Sequence, residues 1–234
     1  MKKTIPSSIR NSSLLAERRQ QIFAVAAKLV MAHGFEKTSM DMIAKANGQT
    51  VGALYRYISS KEDLRWLTLE IAESKQNELL TRLQERTKGL DPLDALKESI
   101  AVLFRSRDET QVIQNMSRTL CFAASREIAQ KHIKLERNLI EFFTRLLDDA
   151  TRVEDIEVKD TFIIAQNIIS AADSWVARSW IVRKRYTLED YIRAETDFIL
   201  RTIQPKRVHV TETGTPGYIA TELEGGRSQP VAVV

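Results

Sequence analysis

The chain has 234 residues, 43% of them hydrophobic and 28% charged, which is the balance of a globular protein long enough to bury a core. No apolar run reaches the ~18–20 residues that a membrane span requires, and no long apolar stretch follows the basic start Met1-Lys2-Lys3, which argues against a secretory leader. A single cysteine, Cys121, permits no intrachain disulfide, so the expectation is a cytoplasmic protein.

The net charge of +4 is unevenly placed. Residues 1–70 hold 11 Lys or Arg against 6 Asp or Glu, which leaves the rest of the chain at −1. A basic front on a near-neutral body suits phosphate contact at one end, or simply a solvated charged surface.

In chain order, residues 1–14 read as a flexible basic arm. Lys2, Lys3 and Arg10, with Arg18 and Arg19 behind them, suit a DNA minor groove or plain solvent. A first helix is expected over Leu15–His33, because Ile22, Val25, Ala26, Leu29 and Val30 form one apolar stripe. Gly34 then stops it by accepting positive φ. A short second helix starts behind Ser39 as N-cap, with Asp41 in its first turn, and Ile43 and Ala44 facing inward. Asn47-Gly48 breaks the chain, and a third helix begins near Thr50. Ser59-x-x-Glu62 reads as a capping box opening a fourth.

From Leu93 to Gln204 there is neither Gly nor Pro, and good helix formers dominate. Helices are expected at about 60–87, 92–107, 109–127, 128–152, 157–185 and 187–203, the second behind an Asp91 cap and an N1 proline, Pro92. Residues 205–234, rich in Gly, Pro, Thr and Val, read as a disordered tail. The fold class is all-α, with about nine helices.

Two short helices joined by a glycine-containing turn, with a supporting helix before them, make a helix-turn-helix, whose second helix fits the DNA major groove. Here that helix is Thr50–Tyr57, where Gly52 and Ala53 leave little bulk. The residues narrow this further. Arg19-Gln20-Gln21-Ile22, Ala26-Ala27-Lys28-Leu29, His33-Gly34-Phe35, Thr38-Ser39, Ile43-Ala44, Gly48, Gly52, Leu54-Tyr55-Arg56-Tyr57 and Lys61-Glu62-Asp63-Leu64 together resemble the TetR family of bacterial regulators. The match runs in order over residues 18–65; Gln49 departs from a small apolar residue and Ile58 from a Phe.

The resemblance implies a DNA-binding domain over 15–65 and a helical effector-binding and dimerisation domain over 66–204. It places Thr38, Tyr55, Tyr57 and Lys61 against DNA phosphate, Lys61 with the free amides of a helix start. Gln49, Thr50, Val51, Ala53 and Arg56 become base-facing candidates, Thr50 serving equally as a helix cap. It implies a homodimer, for which Trp180, Leu188, Tyr191, Ile192, Phe198 and Ile199 are the interface candidates, the alternative being a monomeric core. It also implies a small apolar effector, for which Leu103, Phe104, Met116, Leu120, Phe122, Phe142, Phe143, Ile168 and Trp175 could line a cavity or simply be core. Residues 169–188 resemble the fatty-acyl-CoA-responsive branch, where Arg105, Arg107 and Arg126 would meet the CoA phosphates or remain surface cations.

No cofactor is expected. His33, His132 and His209 are isolated from other metal-ligating residues, Cys121 sits in an apolar stretch as a small hydrophobe, and no nucleotide-cradling or hydrolase motif occurs. The expected function is a regulator, not an enzyme: a repressor released from a near-palindromic operator by a small effector. The rivals are an activator of the same architecture and a helical lipid or acyl-CoA carrier that binds no DNA.

Overall fold

A computed structural model describes residues 11–121, 125–153 and 156–205, together with Ile5, Ser7 and Ile9. Lys2, Lys3, Arg10, Phe122 and the tail beyond 205 lie outside the described residues, as does the side chain of Cys121. The helices are α1 (Ser12–His33), α2 (Met40–Ala46), α3 (Val51–Leu54), α4 (Asp63–Thr87), α5 (Pro92–Glu109), α6 (Gln111–Cys121), α7 (Arg126–Val153), α8 (Thr161–Ala177), α9 (Ser179–Val182) and α10 (Leu188–Thr202). The fold is all-α as expected, with one addition. Ile156–Glu157 (β1) and Gln204–Pro205 (β2) pair antiparallel, so the chain at 204–205 is tied back to the α7–α8 connection.

Side-chain caps fix most helix starts, by satisfying amides that a helix leaves unpaired. Asn11 accepts from Leu14 N, Ser39 from Met42 N, Thr50 from Ala53 N, Asp91 from Asp94 N, Asp160 from Ile163 N and Thr187 from Asp190 N. Gly34 ends α1 at φ 82°, its amide bonded to the Val30 carbonyl.

Two expectations about helix ends are corrected. The capping box at α4 sits one residue later: Ser60 Oγ accepts from Asp63 N, and Asp63 Oδ2 accepts from Ser60 N at 3.0 Å and Ser59 N at 2.7 Å. Glu62 instead pairs with Arg65. The single helix expected over 157–185 begins at Thr161 and breaks at Arg178, where the backbone leaves helical geometry and α9 restarts. No Gly or Pro marks that break.

The core has two centres. One gathers α1–α4 with Met116 and Leu120 of α6 and Ile128 of α7; the other gathers Leu79 and Leu83 of α4 with α5, α7, α8 and α10. α4 belongs to both, so the packing runs without interruption across residue 65.

This distribution revises the effector-pocket expectation. Leu103, Phe104, Phe143 and Ile168 are sealed in the second centre, and Met116 and Leu120 in the first. Phe142 packs edge-on against Phe143, with ring centroids 5.4 Å apart. Trp175 is buried, with its indole N–H donating to Asp108 Oδ1 at 2.8 Å. These side chains are packed core, and truncating Phe104 or Phe143 to Ala would cost about 3–5 kcal/mol.

The dimer candidates divide too. Ile192 and Ile199 are buried within the protomer, Leu188 packs against the core, and Tyr191 sits among Phe104, Trp175 and Tyr186. Trp180 and Phe198 project outward, 70% and 63% exposed. Among the described residues no helix is long and apolar enough to cross a membrane.

Candidate nucleic-acid interface

α3 is held from beneath. Leu54 and Ile58 are completely buried, and Val51 and Tyr57 pack partly against the same core. With one face anchored, the opposite face is presented to solvent: Thr50, Gly52, Tyr55 and Arg56 are exposed, and Gln49 and Ala53 are partly so. Nothing lies within 4 Å of where a Gly52 Cβ would stand, so this face is open to a close approach. Gly48, at φ 66°, makes the α2–α3 turn in a conformation that L side chains rarely adopt. Val51, expected on the base-facing side, leans into the core instead.

The phosphate candidates are placed unequally. Tyr55 is exposed and Tyr57 half-buried. Lys61 lies just before α4, its ammonium 3.1 Å from the Glu36 carbonyl, 3.9 Å from the Glu36 carboxylate and 4.4 Å from the Phe35 ring centroid. It is poised at the surface but already has acceptors. The amides of Ser59 and Ser60 are occupied by Asp63, so the expectation that helix amides join Lys61 in holding an anion fails for those two. Thr38 is only 1% exposed and its hydroxyl donates to the Gly34 carbonyl at 2.9 Å, which makes it a brace of the α1–α2 turn in this conformation.

Two described residues of the expected arm have contacts to the module. Ile5 is buried in the module's core, and Ser7 Oγ donates to the Arg56 carbonyl at 2.8 Å. Arg19, expected in the charged arm, is itself buried. Its Nη2 donates to the Ile5 carbonyl at 2.8 Å and its Nε to the Tyr57 carbonyl at 3.1 Å. One guanidinium thus ties Ile5 to Tyr57, three residues beyond the end of α3. Arg18, by contrast, is exposed and bonds Gln21 one turn on. A signal for Arg19 was present: it lies three residues before Ile22 and seven before Ala26, on the buried stripe of α1.

A supported α2–turn–α3 unit with one polar, open face is the geometry of a major-groove reader. Residues 22–65 match the family model described as bacterial regulatory proteins, tetR family. This match supports a TetR-family transcriptional regulator. It is similar to the HTH-type transcriptional regulator HbdR of Aromatoleum sp. (strain CIB), 24% identical over 192 residues that cover 81% of this chain and 82% of HbdR. It is also similar to the HTH-type transcriptional repressor KstR of Rhodococcus jostii (strain RHA1), 25% identical over 172 residues that cover 72% and 77% of the two chains. The crystal structure of a tetR-family regulatory protein from Rhodococcus RHA1 superposes with a TM-score of 0.70 at 17% identity, covering 81% of this chain and 98% of that one, and so shares its fold. Together these similarities make the protein a DNA-binding transcriptional regulator of TetR type. The carrier reading, in which α1–α3 serve only as support, is not favoured.

Outside the DNA-binding module, two of the three arginines considered for CoA phosphates have acidic partners. Arg105 makes a bidentate pair with Glu189 of α10 at 2.8 and 2.9 Å. Arg107 is buried beside Asp173 of α8, and Arg126 is exposed in the first turn of α7. Among the described residues no cluster of three metal-ligating side chains occurs.

Proposed function

We propose that this TetR-family protein is a homodimeric, cytoplasmic repressor that holds a near-palindromic operator and leaves it when a small effector occupies the helical domain. The open face of α3, anchored by Leu54 and Ile58, carries the operator half of this reading. KstR, a similar chain, is a repressor by name. Exposed apolar residues on the helices after α7, including Phe162, Ile163 and Phe198, support a second copy as partner. Two-fold pairing sets two α3 helices one groove turn apart, ~34–36 Å.

On DNA, Thr50, Gln49, Ala53 and Arg56 face the bases, and Tyr55, Tyr57 and Lys61 take phosphate. Lys61 reaches phosphate by exchanging Glu36 for it. The test is binding of purified protein to its own upstream DNA across a salt series. Lys61→Ala removes one cation per protomer, so the slope of log K against log salt falls by about 2 per dimer. Tyr55→Phe weakens binding without changing that slope, because a hydroxyl releases no counterion. Sequence preference absent at low salt, and absent again after selection from random DNA with and without candidate effectors, overturns the operator reading. Binding that strengthens rather than weakens transcription of the downstream gene makes the protein an activator.

A further inference from the structure

The chain ahead of α1 is built into the DNA-binding module at defined points. Ile5 is 1% exposed and packs in the core that α1–α4 share. Its carbonyl accepts from Arg19 Nη2 at 2.8 Å, while Arg19 Nε donates to the Tyr57 carbonyl at 3.1 Å. Ser7 Oγ donates to the Arg56 carbonyl at 2.8 Å and accepts from the Ile9 amide at 3.1 Å. A buried guanidinium is costly unless its donors are satisfied. Arg19 satisfies its own on the backbone of two segments remote in sequence, which joins them and leaves its charge unneutralised by these bonds.

These ties have a direction. α1 begins at Ser12, and Arg19 lies about 10 Å further along its axis. The chain before α1 therefore turns back beside it and meets Arg56 and Tyr57, just past α3. Tyr55 and Arg56 are exposed there, on the face that the operator reading gives to DNA. Lys3 and Lys2 precede Ile5 by two and three residues. Covalent length alone keeps their Cα atoms within ~7 and ~11 Å of it.

We infer that the tied segment is a second DNA-contacting element, which brings Lys2 and Lys3 to the phosphates flanking the base pairs that α3 reads. Arg19 is its positioning residue. A lysine on an untied tail reaches phosphate only by ordering the whole tail, at about 1–2 kcal/mol per residue. The ties at Ile5 and Ser7 meet most of that cost on folding. The ammonium groups then add affinity and extend the contacted duplex beyond the half-site. The inference rests on the operator reading proposed above.

The test uses full-length protein and an operator selected from random DNA. Two duplexes are compared across a salt series, one ending at the half-sites and one extended by ~5 bp, half a helical turn, on each side. The parent is expected to prefer the extended duplex about ten-fold. Lys2→Ala with Lys3→Ala removes four cations per dimer. It should lower the slope of log K against log salt on the extended duplex by up to ~4, and remove most of the preference. Its melting temperature should match the parent's, since neither lysine is one of the ties. Arg19→Lys keeps every positive charge but not both ties, so its preference for the extended duplex should shrink as well.

An unchanged slope and preference in the lysine double variant overturns the inference and leaves the operator reading standing. A lowered slope with the preference kept also overturns it, because the lysines then act within the half-site. Parent-like preference in Arg19→Lys overturns the positioning role. If the parent selects no sequence at all, with or without candidate effectors, the operator reading fails and this inference with it.

Discussion

Arg65 Nη1 donates to the carbonyl of Leu120, joining the first turn of α4 to the last turn of α6 across 55 residues of sequence. Carbonyls at a helix C-terminus lack intrahelical partners and carry the negative end of the helix dipole, so a guanidinium is well matched there. The same guanidinium lies 4.1 Å from the Phe35 ring centroid, and the Lys61 ammonium lies 4.4 Å from it. Leu120, Arg65, Phe35 and Lys61 are thus in direct succession from α6 to a candidate phosphate contact.

Replacing Arg65 by Met keeps much of the stem but leaves the Leu120 carbonyl buried without this donor. Unfolding free energy is expected to fall by about 1–3 kcal/mol. Operator affinity should fall as well, and effector-induced release should shrink. The check is a cycle with Phe35→Leu: coupling of at least ~0.5 kcal/mol in operator binding is expected for residues in contact. Additive effects would mean that the two residues act separately.

Arg19 offers a sharper substitution. Its guanidinium reaches two carbonyls, Ile5 and Tyr57, from one plane. A lysine has one ammonium at the end of a flexible stem and cannot hold both. Arg19→Lys is expected to lose about 1–3 kcal/mol of stability and to expose the leading segment to protease. Operator binding should weaken with it, because Tyr57 lies three residues beyond the end of α3. Protease resistance and melting temperature equal to the parent would show that Ile5 needs no such tie.

Much of this was legible in the sequence because local rules decided it. The Gly34 stop, the Ser39 and Thr50 caps and the Asp91-Pro92 start depend on residues within one turn, and each formed as read. The motif order over 18–65 likewise pointed to the family whose model matches residues 22–65. What long-range packing decides was not legible. The Arg178 break has no local breaker and falls where α8 ends above the buried Trp175 and Val176. Leu103, Phe104 and Phe143 read more readily as core than as cavity wall, but composition does not say whether apolar side chains meet or leave a gap. Arg107 and Asp173 lie 66 positions apart, and only the tertiary fold makes them a pair.

His132 gives a pH dependence. Burial is the main cause that pushes its pKa below the ordinary value of 6.5, and the Arg107 charge pushes the same way, while Glu136 and Asp173 act against them. The folded imidazole therefore stays neutral at a pH where the unfolded one takes up a proton. Stability rises with pH wherever the unfolded state binds more protons, so the protein loses stability as pH falls below about 6.5, until the folded imidazole also protonates. Unfolding free energies at pH 7.5 and 5.5 should differ more for the parent than for His132→Gln. An equal pH response in both would assign the loss to other groups.

The dimer face can be tested by charge. On α8, Phe162 and Ile163 are 54% and 51% exposed, and on α10 Phe198 is more so, with Ile163 and Phe198 bordering one groove of about 490 Å³. An isologous interface meets each residue twice, so one substitution places two like charges in apolar surroundings. Phe198→Asp should therefore cost more than the ~2 kcal/mol typical of truncating an aromatic anchor, and Ile163→Asp should act alike. Sedimentation is expected to show monomers for both, with helicity unchanged and operator affinity sharply reduced, because each reading module then binds its half-site alone. Trp180→Ala, on α9, separates this face from a neighbouring one. If it alone yields monomers while Phe198→Asp remains dimeric, the copies meet through α9 and the groove between α8 and α10 is free.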